Sequence, residues 1–146
     1  MTGSSHMDAE RAFTQTVRAR RRAEIKRRLR REPAAHGRLV VFDQPQRRRA
    51  SAPGWLGVRE IPIGEISGTL EPSRASLFDG SFRPSKAARE RWERVWLAEH
   101  RGAPLPPISV VQVGDTYAVR DGHHRLSVAR ARGAVTIDAT VDAVQG

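Results

Sequence analysis

The sequence has no cysteine in 146 residues, which removes disulfides, thiolate metal sites and cysteine nucleophiles from consideration. No apolar run approaches the roughly 18 residues that a membrane span needs, so no membrane partner is expected. No secretory signal pattern opens the chain, and a cytoplasmic location is the simplest expectation. No internal repeat with a period of about 20–50 residues is visible. Glycine and proline are both missing between Asp8 and Glu32, which lets one helix run unbroken until Pro33 stops it. Acidic residues are scarce at this same end: residues 1–57 hold 14 Lys+Arg against 5 Asp+Glu, whereas residues 58–146 hold 12 against 11. Almost all of the formal net charge of +10 is therefore N-terminal, and the commonest partner of a basic arm is nucleic acid.

Hydrophobic residues make up 38% of the chain and charged residues 29%, enough apolar surface for one domain with its own core. Four parts follow from the composition. Residues 1–7, with Gly3-Ser4-Ser5-His6-Met7, resemble a cloning-derived or disordered leader and are set aside. Residues 8–32 form the basic helix. Residues 33–57 are linker-like, rich in Pro and Arg from Gln44 to Gly57, with a candidate short strand at Leu39–Phe42. Residues 58–146 form the compact domain.

The apolar residues of the basic helix, Phe13, Val17, Ile25 and Leu29, make only a narrow stripe. Its other faces carry Arg18, Arg20, Arg21, Arg22, Lys26, Arg27, Arg28, Arg30 and Arg31. Two readings are open: the helix lies along the phosphates of DNA, or it is a solvated amphipathic helix docking its stripe on the domain or on a second copy in a homodimer.

In the compact domain, Val58, Ile61, Ile63 and Ile66 read as a strand, with Pro62 placing it at a sheet edge or a strand end. Residues 67–84 read as a loop with a turn at Asp79-Gly80. A helix capped by Ser85 and ending before Gly102 follows, with Ala88, Trp92, Val95 and Trp96 on one face. Those tryptophans fit a core better than a base-stacking platform, because they recur at helical spacing. Ile108 to Val113 and Thr116 to Arg120 flank Gly114-Asp115 and read as a hairpin. A helix follows that ends at Gly133, and then Val135, Ile137, Ala139, Val141 and Ala143 alternate with polar residues as a half-buried strand. Strand, helix and strand in this order suggest a βαβ unit with a right-handed crossover.

The segment Asp121-Gly122-His123-His124-Arg125 lies where strand turns into helix. Gly122 tolerates a positive φ, Asp121 is a candidate acceptor for the first helical N–H groups, and those N–H groups with the helix dipole make an anion site. His124 and Arg125 stand beside it. Adjacent histidines at a helix start do not converge on one metal, and His36 and His100 have no informative spacing with them, so a protein-built metal site is not expected. A magnesium ion held mainly by phosphates is a different matter, and Asp121 is the first candidate carboxylate for it, with Asp79 and Glu65 behind. A histidine at a phosphate serves as a cation or as a general acid or base, which makes His124 the candidate catalytic residue.

The order of elements from residue 58 onward, with Leu105-Pro106-Pro107-Ile108 before the hairpin and Asp121-Gly122-His123-His124-Arg125 after it, resembles the ParB/sulfiredoxin superfamily. The resemblance implies an α/β (α+β) fold with a small mixed sheet and packed helices. It also implies that Gly122, His123, His124 and Arg125, with Asp121, line the phosphates of a nucleotide triphosphate, CTP or ATP, with Mg²⁺. Arg83-Pro84-Ser85 falls where several members of the superfamily place a second phosphate-contacting segment, so Arg83 and Ser85 join the candidate residues. Related proteins include nucleotide switches with slow hydrolysis, a free-serine kinase and some proteins called nucleases.

The departures are equally specific. The catalytic cysteine of sulfiredoxin would fall at His123, so sulfinic-acid reduction is not expected. Partition proteins continue into a helix-turn-helix module, whereas this sequence stops at Gly146 soon after its last strand, so centromere reading in that manner is not expected. No carboxylate cluster of the two-metal nuclease kind is present. The reading is a ParB-like domain that binds CTP or ATP and contacts DNA through its basic helix, which would place it with the nucleoid. The alternatives are a small NTPase or phosphotransferase of the same fold, the less supported nuclease, and an interaction module that has lost its ligand.

Overall fold

The computed structural model describes residues 2–42 and 55–143. Four helices, α1 (Thr2–Leu29), α2 (Pro72–Ala75), α3 (Arg89–His100) and α4 (His123–Ala131), accompany six strands. The strands are β1 (Val40–Val41), β2 (Trp55–Pro62), β3 (Ile66–Thr69), β4 (Ile108–Val113), β5 (Thr116–Asp121) and β6 (Thr136–Ala143). They form one mixed sheet in the order β1-β3-β5-β4-β6-β2. This is a mixed α/β fold, as expected.

The hairpin β4–β5 turns at Gly114, whose φ of +60° glycine accepts without strain. The alternation along β6 buries Ala139 and Val141 and leaves Asp138 exposed. β2 is an edge strand that ends at Pro62, and an edge position is where a residue without an N–H is tolerated. The candidate strand at Leu39–Phe42 is β1, at the opposite edge, paired parallel to β3.

Several expectations are corrected. The run from Val58 to Ile66 is two strands, because a 3₁₀ turn at Ile63–Glu65 interrupts it and sends Ile66 across the sheet. The 67–84 segment includes β3 and α2 rather than loop alone; its Asp79 turn is present, with Oδ1 accepting the N–H groups of Ser81 (3.0 Å) and Arg83 (2.8 Å). Ser85 does not cap α3: a 3₁₀ turn at Lys86–Ala88 intervenes and its hydroxyl makes no cap bond. The helix α4 does not close a βαβ unit, since β5 and β6 both neighbour β4, one antiparallel and the other parallel. Local patterning shows a helix between two strands but carries no record of the intervening β4. The linker stretch from Gln44 lies outside the described residues up to Gly54.

The basic helix begins at Thr2, so residues 2–7 are helical, and it closes after Leu29 with Arg31 at φ +57°. The N–H of Arg31 reaches the carbonyl of Arg28 and that of Glu32 the carbonyl of Arg27, which satisfies the last turn. Its N-terminal half is docked. Ala9 and Phe13 are buried, and the Phe13 ring meets Trp92 edge-on at 5.5 Å between centroids. Ile25 and Leu29 remain exposed, because 12 and 16 residues turn a helix by about 120° and about 160° away from Phe13. Trp92 and Trp96 are core residues, with the Trp92 indole N–H donating to Ser127 Oγ at 2.8 Å. That core lies between the helices and one sheet face; a smaller cluster of Leu70, Val111 and Ala118 forms a second.

Candidate functional site

Strand β5 delivers Asp121 to the sheet end, and Gly122 then takes φ +106°, a left-handed conformation that starts α4 at His123. A Cβ on Gly122 would lie 2.5 Å from Ile108 Cγ2 and 3.1 Å from Arg125 Nη2. Only glycine combines this φ with this close approach. The first intrahelical bond runs from Leu126 N–H to the Gly122 carbonyl (2.9 Å), and no side chain caps the helix. The N–H groups of His123, His124 and Arg125 therefore precede the helical ladder at the positive end of its dipole.

Around this turn is a cavity of about 100 Å³ lined by Arg74, Arg91, Val95, Leu105 and the segment 121–125. Three arginines from three elements, Arg74 on α2, Arg91 on α3 and Arg125 on α4, line it together with one carboxylate, Asp121. The volume suits a phosphate-sized anion and is well below the roughly 300–1,000 Å³ of whole small-molecule sites. Arg125 is already partly engaged: Nη1 donates to the carbonyls of Pro106 (2.6 Å) and Pro107 (3.0 Å), and Nη2 to Asp121 Oδ2 (3.2 Å). It clips the loop before β4 to the turn. Asp121 thus pairs with Arg125 instead of capping the helix, because its chain neighbour Gly122 holds the cap position.

Both histidines are buried and sit against Phe78, His123 stacked at 6.2 Å between centroids and His124 edge-on at 5.1 Å. His123 Nε2 lies 2.6 Å from Thr69 Oγ1, which also accepts the Glu71 N–H at 2.9 Å. Burial lowers the His123 pKa from 6.5 to about 4, helped by Arg74 and His124 and opposed by Asp121. Burial likewise lowers His124 to about 4, with Arg91 and Arg74 adding to the effect. Both rings are neutral at pH 7. The positive charge at this site is carried by arginine, and an imidazole with pKa near 4 is a weak base at neutral pH.

The other sequence candidates lie elsewhere. Arg83 is held by Asp79 (3.3 Å) and lines a separate groove of about 290 Å³ under α1, with Thr16 and Arg130. Ser85 does not line the turn cavity, and its buried Oγ has no hydrogen-bond partner. Asp79 is consumed by its own turn, and the Glu65 carbonyl accepts from Thr116 away from the cavity. Of the three candidate carboxylates for magnesium, Asp121 alone lines the cavity. On α1, Arg18, Arg21, Arg22, Lys26, Arg28, Arg30 and Arg31 are exposed. Arg20 is half-buried, pairing with Glu24 at 3.4 Å and reaching the Arg83 carbonyl at 3.4 Å, and Arg27 lies against Gly37.

Sequence patterning does not single out Arg74 or Arg91. Arg74 lies in a segment that reads as loop; Arg91 carries a signal, since it stands four residues before Val95 and shares its helix face.

A solved structure similar to this chain is sulfiredoxin from Arabidopsis thaliana, 20% identical, with a TM-score of 0.42, covering 57% of this chain and 82% of that one. No protein-family model matches the chain, and no curated protein matches it.

Proposed function

We propose that the cavity at residues 121–125 holds phosphates of a nucleotide triphosphate, CTP or ATP, and that the exposed arginines of α1 contact DNA. The observation that carries the first part is the convergence of Arg74, Arg91 and Arg125 with three uncapped N–H groups on a cavity of phosphate size. The sequence resemblance of the Asp121-Gly122-His123-His124-Arg125 turn to phosphate-binding turns of the ParB/sulfiredoxin superfamily supports the choice of a nucleotide. In this reading Arg74 and Arg91 neutralise phosphate oxygens, the N–H groups of α4 bind them directly, and Arg125 positions the turn. Asp121 is the carboxylate that would hold a magnesium ion accompanying the nucleotide, and the ion would supply neutralisation of phosphate charge.

The neutral histidines favour a binding role over phosphoryl chemistry through His124, because catalysis by general base is most effective with a pKa near the working pH. They wall the cavity and fix α4 against Phe78. Calorimetric titration with the four ribonucleoside triphosphates and magnesium tests the reading. Binding that weakens at least tenfold in Arg74→Ala and in Arg91→Ala is expected; the absence of binding by any of the four would refute it.

A further inference from the structure

Beneath the C-terminal half of α1 lies a groove of about 680 Å³, walled by α1, the segment 34–41, α2 and the Asp79 turn. It shares no lining residue with the cavity at 121–125. Its volume falls in the roughly 300–1,000 Å³ range of small-molecule sites.

Among the described residues that line this groove, the charges do not cancel. Glu24 is paired with Arg20 and Asp79 with Arg83, which leaves Arg27, Arg28 and Arg38 against Glu32 in the charge balance of these lining residues. Arg28 and Arg38 are exposed and make no ion pair among the described residues. Between the charges the wall is apolar, formed by Leu39 and Phe78, both buried, with Ala75 and Val41. A ligand that fits therefore has an anionic end for the arginines, an apolar body for Leu39 and Ala75, and hydrogen-bond donors for Glu32. An inorganic anion would leave the apolar wall uncovered. A base paired within a duplex is stacked and cannot enter a concave site.

We propose that this groove binds a nucleoside phosphate, either free or as one unit of a single strand, with the phosphate on Arg28 and Arg38 and the nucleoside against Leu39 and Ala75. The assignment is independent of the triphosphate reading at 121–125.

The test is calorimetric titration of the full chain at low salt with AMP, CMP and a dT pentamer. The variants are Arg28→Glu/Arg38→Glu; Val41→Asp, which changes a different, exposed wall; and Arg74→Ala, which disables the other cavity. We expect one-to-one binding of a monophosphate or of the pentamer that weakens tenfold or more in Arg28→Glu/Arg38→Glu, weakens in Val41→Asp, and stays within twofold in Arg74→Ala. Tighter binding of the pentamer assigns the strand as source; equal or tighter binding of a monophosphate assigns the free nucleotide. No binding of any of the three by wild type overturns the proposal. So does binding that survives Arg28→Glu/Arg38→Glu and disappears in Arg74→Ala.

Discussion

Thr69 is fully buried and its hydroxyl meets two groups, His123 Nε2 and the Glu71 N–H, with the Val119 carbonyl at 3.3 Å as a third. Replacing it by valine strips His123 Nε2 of a buried partner, so Thr69→Val should lower unfolding free energy by about 1–3 kcal/mol, measured in urea. Gly122→Ala places a methyl group 2.5 Å from Ile108 at φ +106°. It should cost about 2–4 kcal/mol by the same assay and weaken anion binding as well, because the turn itself must move. The histidines give a pH dependence. Their folded pKa values, about 4, lie below the ordinary 6.5, so the unfolded chain binds more protons between those limits. The contribution of the two rings to stability is therefore full above pH 6.5, is lost as pH falls toward 4, and amounts to at most about 3 kcal/mol for each ring. Urea unfolding of wild type and His124→Gln across that window checks this: the variant should show a shallower fall, and an equal slope would count against the buried neutral ring.

Among the elements, α1 is tied to the domain through its first half. Its first half supplies Ala9 and Phe13 to the core, where Phe13 meets Trp92 and carries the Arg89 guanidinium 5.5 Å above its ring. Phe13→Ala should therefore destabilise the whole domain by about 3–5 kcal/mol, seen as a drop in Tm. A detachable arm would show no such coupling. The sequence carries much of this architecture: the period of two in β6, Gly114-Asp115 between β4 and β5, and Gly122 and Gly133 around α4 are local signals that the fold obeys. Gly133, at φ +86°, closes α4 with its N–H on the Arg130 carbonyl and the next N–H on Ala129. What is not legible is what depends on distant partners. The four-residue β3 is too short to set a period, and Ser85 looks like a cap until the 3₁₀ turn displaces it. The glycine turn is readable because its strand, glycine and helix are contiguous. Arg74 and Arg91 reach it through tertiary folding, and the spacing of Arg91 to Val95 records its helix face but not the turn it meets.

For the molecule as a whole, charge is distributed so that a near-neutral domain presents a cationic helix. Deleting α1 would uncover Trp92, so nucleic-acid binding is better tested by substituting exposed residues. Arg18→Glu/Arg21→Glu/Arg22→Glu should retain the wild-type Tm within a few degrees. It should also reduce DNA affinity and flatten the salt dependence, by about 0.9 in the logarithmic slope for each phosphate that the helix no longer neutralises. Fluorescence anisotropy at several salt concentrations reads this; an unchanged slope would remove α1 from the interface.

If backbone N–H groups at the start of α4 bind phosphate, with Arg74 and Arg91 beside them, their amide resonances should report it. The most direct measurement is the amide NMR spectrum of the ¹⁵N-labelled full chain titrated with inorganic pyrophosphate and then with CTP or ATP. Saturable shifts of the His123, His124 and Arg125 amides that disappear in Arg74→Ala/Arg91→Ala are expected. Shifts confined to other residues, or none at all, would contradict phosphate binding at this turn.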